Sequence, residues 1–418
     1  MTRPPVHGTP ECALAKAQQT ENVFLQMTYA RAADGGQDRG DERPLAGVPF
    51  AVKDVFDVRG TRTSAASRIF DRRPVARRDA EVVRRLAAAG AVLIGKTTMS
   101  ELAYSGLGVN ERFGTPTLRR ARHEYVVGGS SSGSAAAVHA GVVTFALASD
   151  TSGSGRIPAA WTGVPGFRPT LGRYPSDGMT PLAPTLDTVA VIAADLTHLE
   201  IIDRVLAGES HMGVDPRPPI FVVPHEEYLA RCDRRVLERF HADIARLRGN
   251  GHRIVQRRID VLDTVHQLHR LHVPIVESEA FAAFGAYLEQ PDLLSPPVQR
   301  RLQRSRLRLR EQRSTPLYEA MASLRKQFDL ELANAVLLTP TTEIDAPAFA
   351  DIRASPELHD EMNGRALALT MMLSYLDAPS VVIPTGAGSA EPPSSLQLSG
   401  RSGQDRRVLH AAQSLTPA

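Results

Sequence analysis

The sequence holds two cysteines in 418 residues, Cys12 and Cys232, far apart in the chain. That scarcity argues against a disulfide framework and makes a reducing, cytoplasmic setting the expectation. There is no apolar run long enough to cross a bilayer. Residues 1–8 carry no apolar segment that would serve as a secretory signal. No membrane role is expected. Excess charge is missing too: the net charge is +3, too small over this length to imply a nucleic-acid partner. Lysine is also scarce. Of 49 lysines and arginines, only Lys16, Lys53, Lys96 and Lys326 are lysine, and the other 45 are arginine. Arginine keeps its proton inside a protein, whereas a buried lysine can release it. A lysine kept among apolar residues therefore invites a chemical question. Lys53 is one, following Val48, Phe50, Ala51 and Val52.

What is present describes a globular chain. Hydrophobic residues make up 42 % and charged residues 23 %, and the length suffices to bury a large core. Residues 79–89 read as a helix with Asp79 as N-cap and Val82, Val83 and Leu86 on one face. Gly90 ends it, and 91–94 reads as a strand. A Gly/Ser segment at 128–134 leads into an alanine-rich helix from Ala135, and an apolar stretch at 142–148 into a second Gly/Ser segment at 149–155. Strand-like runs recur at 220–223, 336–338 and 381–383. The alternation predicts an α/β fold with a large central sheet. Residues 1–44 read as a lead-in, with a loop around Gly35-Gly36. Residues 225–330 read as a helical section packed on the core of one domain spanning 1–418. In that section Arg300, Arg301, Arg304, Arg306, Arg308 and Arg310 are expected to form a solvated helix face opposite Leu302 and Leu309; no aromatic residues interleave as a nucleic-acid site would require.

Two motifs compete for attention. Gly90-Ala91-Val92-Leu93-Ile94-Gly95-Lys96-Thr97 matches the phosphate-loop pattern letter for letter. Its middle residues suit a buried strand, however, and a helix precedes the first glycine, whereas a phosphate loop must join a strand to a helix with its amides exposed. Gly129-Ser130-Ser131-Ser132-Gly133 fits the nucleophile elbow of α/β-hydrolases. That reading makes Ser131 the nucleophile and needs an acid and a histidine downstream. Asp360 and His410 are available, neither in a distinctive setting.

A third reading accounts for more residues at once. It joins Gly47-Val48-Pro49-Phe50-Ala51-Val52-Lys53-Asp54, the run from Gly128-Gly129-Ser130 to Ala137, and Asp150-Thr151-Ser152-Gly153-Ser154-Gly155-Arg156-Ile157-Pro158. Together these segments resemble the amidase signature family. Pro181-Leu182-Ala183-Pro184-Thr185-Leu186-Asp187-Thr188, Leu338-Thr339-Pro340-Thr341-Thr342 and Leu396-Gln397-Leu398-Ser399-Gly400-Arg401 continue the likeness. It covers about 45–200 and 335–412. The resemblance implies a large mixed sheet covered by helices on both faces. It implies amide hydrolysis by Ser154 as nucleophile, Ser130 as bridging serine after a cis Gly129–Ser130 bond, and Lys53 as base. It places the oxyanion hole at the backbone of Thr151, Ser152, Gly153 and Ser154. No metal or organic cofactor is implied.

The chemistry needs such a set. A serine hydroxyl is a weak nucleophile at neutral pH, so a base must take its proton as it attacks. Lysine serves only when neutral, which burial promotes. Asp54 is adjacent, but alternation points it to the opposite face of an extended segment. Backbone amides converging on one point hold the charge that develops on the carbonyl oxygen. Ser132 and Ser152 stand where the family more often has glycine, and Ala148-Ser149 where Gly-Thr is common. Gly155 resembles the allophanate hydrolase branch, where Arg156 would meet a substrate carboxylate; arginine is common there across the family, so a structural role is the standing alternative. The glutaminase subunit of a tRNA-dependent amidotransferase is the other alternative. The substrate pocket is expected from 100–125, the helical section and 345–380, with Tyr104, Phe113 and Ser131 as candidate contacts and core packing as the equal alternative for Tyr104 and Phe113. The expected partner is a small-molecule amide, with a homodimer left open.

Overall fold

The computed structural model describes residues 8–28, 43–209, 218–386 and 393–415. Much of the lead-in, with the expected Gly35-Gly36 loop, lies outside them. The strands are β1 (Phe24–Met27), β2 (Pro49–Lys53), β3 (Val92–Thr97), β4 (Thr117–Arg120), β5 (His123–Val126), β6 (Phe145–Asp150), β7 (Gly166–Arg168), β8 (Thr188–Ala193), β9 (Ile220–Val223), β10 (Ile254–Gln256), β11 (Ala335–Pro340), β12 (Ser380–Pro384) and β13 (Ser395–Ser399). Among the described residues, eleven form one sheet in the order β1-β3-β2-β6-β8-β7-β12-β13-β11-β9-β10, and β4 and β5 form a separate hairpin. The sheet is mixed. β2 runs parallel to β3 and β6, and β9 parallel to β10 and β11. β8 and β13 run antiparallel to their neighbours.

Both faces are covered, so the central strands are buried on both sides and read as continuous apolar runs. Alternate side chains enter different cores. Phe50, Val52, Phe145, Leu147, Val189 and Val191 join one buried cluster with Val82, Leu86, Ile202 and Leu409 from the helices Glu81–Ala88, Leu196–Ala207 and Asp405–Ser414. Ala51, Ala146, Ala148, Ala190 and Ile192 join the other, with Ala135, Ala137 and Ile157 from Ser132–His139 and Arg156–Thr162. Small side chains let this second pair of helices lie close to the sheet. Gly133 shows how close: a Cβ there would stand 2.6 Å from the Val23 carbonyl oxygen.

Several expectations are corrected. The helix begins at Glu81 with Ala80 as N-cap, and Asp79 instead accepts the Arg59 amide at 2.7 Å. The strand expected at 91–94 continues to Thr97 and takes in Gly95-Lys96, so the phosphate-loop pattern is buried sheet. Lys96 Nζ pairs there with Asp54 Oδ1 at 2.6 Å. The section 225–330 is helical but also contributes β10, which extends the sheet beside β9. Its arginine run is no bare solvated face. Arg300 and Arg304 both hold Asp360, Arg308 holds Glu277, and Arg301 caps the Tyr104 ring at 4.1 Å.

Candidate active site

β2 and β6 are neighbouring parallel strands, and Lys53 and Asp150 end them. The carboxyl ends of adjacent parallel strands are where open α/β sheets gather functional groups. Loops from 128–131 and 151–155 meet there, tied by a hydrogen bond from the Ser131 amide to the Ser154 carbonyl at 3.1 Å. The Gly129–Ser130 bond is cis, and the Ser130 carbonyl accepts the Ser100 amide at 3.0 Å.

Lys53 is fully buried and donates to Ser130 Oγ at 2.6 Å and to Ser149 Oγ at 2.8 Å. Asp54 leaves the strand on the opposite side, toward Lys96, as alternation requires. Burial brings the Lys53 ammonium down from its ordinary 10.5 to about 7; the negative charges of Asp150 and Asp187 act in the opposite sense. At neutral pH a large fraction of this lysine is therefore uncharged.

Asp150 organises the segment around Ser154. Its carboxylate accepts the amides of Gly153 at 2.7 Å, Gly155 at 3.1 Å and Arg156 at 3.2 Å. The Arg156 guanidinium closes on it with two bonds at 3.0 Å. Burial would raise the Asp150 carboxyl, but Arg156 and Arg168 outweigh burial and hold it at about 2. Asp187 steadies the other side, accepting Thr151 Oγ1 at 2.5 Å and the amides of Leu182 and Ala183. Thr370 Oγ1 donates to the Ser152 carbonyl at 2.6 Å.

This geometry redistributes the expected roles. Lys53, Ser130, Ser131 and the 151–154 segment come together. The Gly153 amide is aimed at Asp150 and not at a substrate oxygen. Among the described residues, no hydrogen bond takes the amides of Thr151, Ser152 or Ser154. Gly153 is required by its backbone, φ +126°, and by space: a Cβ there would stand 2.1 Å from Thr370 Oγ1. Ser152 sits outside the left-handed region, which is why a non-glycine residue is tolerated. Among the described residues its buried hydroxyl has no hydrogen-bond partner. Arg156 is fully buried and bound to Asp150, Gln397, the Thr370 carbonyl and Ser374. Of its two expected roles, substrate contact and structure, these bonds fit the structural one, a strut. Tyr104 is likewise a core residue, its hydroxyl 3.2 Å from Ser305 Oγ. Ser131 is wholly buried and its hydroxyl faces the Ser149 carbonyl at 3.3 Å, while Asp360 is engaged by two arginines. The acid named for the elbow reading, Asp360, is thus held in ion pairs away from Ser131's carbonyl partner Ser149.

Sequence reasoning missed Ser149 as a partner of Lys53. The only signal was its departure from the commoner threonine, which keeps the hydroxyl. Among the described residues, no cluster of three His, Cys, Asp or Glu side chains is placed to hold a metal ion. No helix of the described residues is long and apolar enough to cross a membrane. A cavity of about 150 Å³ draws its walls from all three segments expected to shape the pocket, with Val109 and Glu111, Pro296 and Arg300, and Ile352 and His359 among its lining.

A family model described as Amidase matches residues 12–409. The chain is 31 % identical over 404 residues to mandelamide hydrolase of Pseudomonas putida, covering 89 % of this chain and 78 % of that one. It is 31 % identical over 423 residues to a glutamyl-tRNA(Gln) amidotransferase subunit of Roseiflexus sp. (strain RS-1), covering 91 % and 84 %. A crystal structure of an amidase superposes with a TM-score of 0.79 at 29 % identity, covering 98 % of this chain and 95 % of that one.

Proposed function

The chain belongs to the amidase family, and from that premise we propose that it hydrolyses a linear C–N amide bond by a Ser154–Ser130–Lys53 relay. The observation that carries the reading is the contact of buried Lys53 with Ser130 Oγ at 2.6 Å. Neutral Lys53 takes the Ser130 proton as Ser130 takes the Ser154 proton, and Ser154 Oγ attacks the carbonyl carbon. The amides of Thr151, Ser152 and Ser154 are free to hold the resulting oxyanion. The proton returns through the same relay to the departing nitrogen, which leaves as ammonia or an amine. Water then attacks the acyl-enzyme by the same route.

A base with a pKa near the working pH is the effective one. Lowering a lysine from 10.5 to about 7 costs roughly 5 kcal/mol at 1.36 kcal/mol per pKa unit, and burial supplies it. The test is turnover of a panel of small amides by the wild type, Ser154→Ala and Lys53→Ala. Loss in both variants supports the relay; turnover surviving in either overturns it.

The likeness to one component of a glutamyl-tRNA(Gln) amidotransferase supports a second reading, in which the chain is the glutaminase of a larger assembly. It requires glutaminase activity that appears only with partner subunits. Free amide turnover by the purified chain separates the two. The two distant cysteines fit a cytoplasmic enzyme.

A further inference from the structure

Ser130 and Ser154 lie on different loops, and both loops are pinned to one helix, Pro356–Tyr375. The first pin reaches Ser130 through one intermediate turn. Asn363 Oδ1 accepts the Gly106 amide at 2.8 Å and the Ser105 hydroxyl at 2.9 Å. The Gly106 carbonyl in turn accepts the Gly129 amide at 2.8 Å, and Gly129 is the residue joined to Ser130 by the cis bond. Packing holds the same turn: a Cβ on Gly106 would stand 3.0 Å from Leu367 Cγ.

The second pin reaches the segment around Ser154. Thr370 Oγ1 lies 3.2 Å from the Leu367 carbonyl of its own helix but 2.6 Å from the Ser152 carbonyl. Its shorter bond is therefore made outside the helix, where a helical threonine ordinarily bonds back to its own turn. The other end of that peptide group, the Gly153 amide, donates to Asp150 Oδ1 at 2.7 Å. Carbonyl and N–H belong to one planar unit, so the unit cannot turn without breaking one of the two bonds. Its orientation sets where the neighbouring amides of Ser152 and Ser154 point.

Asn363, Leu367 and Thr370 are spaced i, i+4 and i+7, so they line one stripe of the helix. Seven residues of α-helix span about 10.5 Å, and that length separates the two pins. The helix is also tied down on its outer side, Asp360 by Arg300 and Arg304 and Arg365 by Asp233. Asn363 and Thr370 are both buried. The two serine loops thus share one fixed ruler.

We propose that Asn363 and Thr370 are positioning residues which, from one helix, set the placement of Ser130 relative to Ser154 and the aim of the amides beside Ser154. The inference rests on the Ser154–Ser130–Lys53 relay for the reaction, but the anchoring can be read without turnover. Thr370→Val keeps the side-chain shape and removes the hydroxyl, and Thr370→Ser restores it. Asn363→Leu removes the accepting oxygen, and Asn363→Asp restores one. Misplacing reacting groups by about 1 Å can cost about 10²-fold in rate. Steady-state kinetics on an amide that the wild type hydrolyses are therefore expected to show kcat lower by about tenfold or more in Thr370→Val and Asn363→Leu, with KM changed less than about threefold. Thr370→Ser and Asn363→Asp are expected to recover most of the loss. The double variant Asn363→Leu/Thr370→Val separates a shared ruler from two unrelated bonds. Sites about 10 Å apart ordinarily act independently, and their losses multiply. Here freeing one end already releases the placement, so kcat of the double variant stays within about threefold of the lower single variant. Amide hydrogen exchange reads the anchoring without substrate: it quickens over 151–155 in Thr370→Val and over 128–131 in Asn363→Leu. Unchanged kcat in the folded single variants, losses that multiply in the double, or unchanged exchange each overturn the inference. Each pin has its own pair of variants, so a Thr370→Val that fails to fold leaves Asn363→Leu and Asn363→Asp to decide. Turnover surviving in Ser154→Ala overturns the relay reading instead, and the anchoring then stands or falls on exchange alone.

Discussion

Lys53 and Lys96 are both fully buried, on adjacent strands, and only Lys96 has a carboxylate beside it, Asp54 at 2.6 Å. Among the described residues Lys53 has no ion pair; its nitrogen faces two hydroxyls, Ser130 Oγ at 2.6 Å and Ser149 Oγ at 2.8 Å. In a chain that otherwise prefers arginine, both of these positions hold lysine. One neutralises a carboxylate. The other is placed to give up its proton.

The pH dependence of turnover follows from that placement. The base acts when neutral, so kcat/KM falls as pH drops through about 7, where Lys53 gains its proton, approaching tenfold per pH unit below it. The negative charge of Asp187 favours charged Lys53. Replacing it as Asp187→Asn moves the acid limb to lower pH. A pH–rate profile of both proteins checks the midpoint and the direction of the shift.

The same group opposes stability. Between about pH 7 and 10.5 the unfolded chain holds the Lys53 proton and the folded chain does not, so stability rises with pH across that window. Near pH 7 almost the whole cost, about 5 kcal/mol, is present. Lys53→Met removes it and leaves two buried hydroxyls without their donor, a cost of about 1–3 kcal/mol each. The variant is expected to be inactive, with its stability relative to the wild type highest at pH 7 and falling toward pH 10. Thermal unfolding at the two pH values tests this.

Arg156 is a strut, so its replacement should affect folding and not substrate choice. Breaking a buried pair by removing one partner costs about 3–5 kcal/mol. Arg156→Ala is expected to lose that much in denaturant unfolding. Arg156→Lys, lacking the planar fork that spans Asp150, Gln397 and Ser374, is expected to recover only part. Relative KM values for neutral and carboxylated amides should stay unchanged in whatever folds.

Gly153→Ala probes the anion-binding turn. The residue needs φ +126°, and a Cβ would meet Thr370 Oγ1. Moving Thr370 disturbs the Ser152 carbonyl it holds. Losing oxyanion geometry costs about 10²–10³ in kcat. Steady-state kinetics should show that loss in kcat with KM changed far less.

The fold class was legible in the sequence because helix-like and strand-like segments alternate; Ser154, Ser130 and Lys53 were singled out by the resemblance of three separate segments taken together and not by any one of them. Element ends were less so. Asp79 has the chemistry of a cap, but the Arg59 amide takes it. For Arg156 and Tyr104 contact and core roles both stayed open, because a sequence shows charge and ring but not what surrounds them. Ser374 and Gln397, which fix Arg156, lie more than 200 residues away. The role of Gly153 was mislocated for the same reason: only the folded chain brings Asp150 back under its amide.

The most direct test is covalent labelling with a fluorophosphonate probe, followed by peptide mass spectrometry to locate the adduct. One adduct is expected, on Ser154, forming more slowly as pH falls below 7 and absent in Lys53→Ala. An adduct on Ser131 with Ser154 unmodified would contradict the relay.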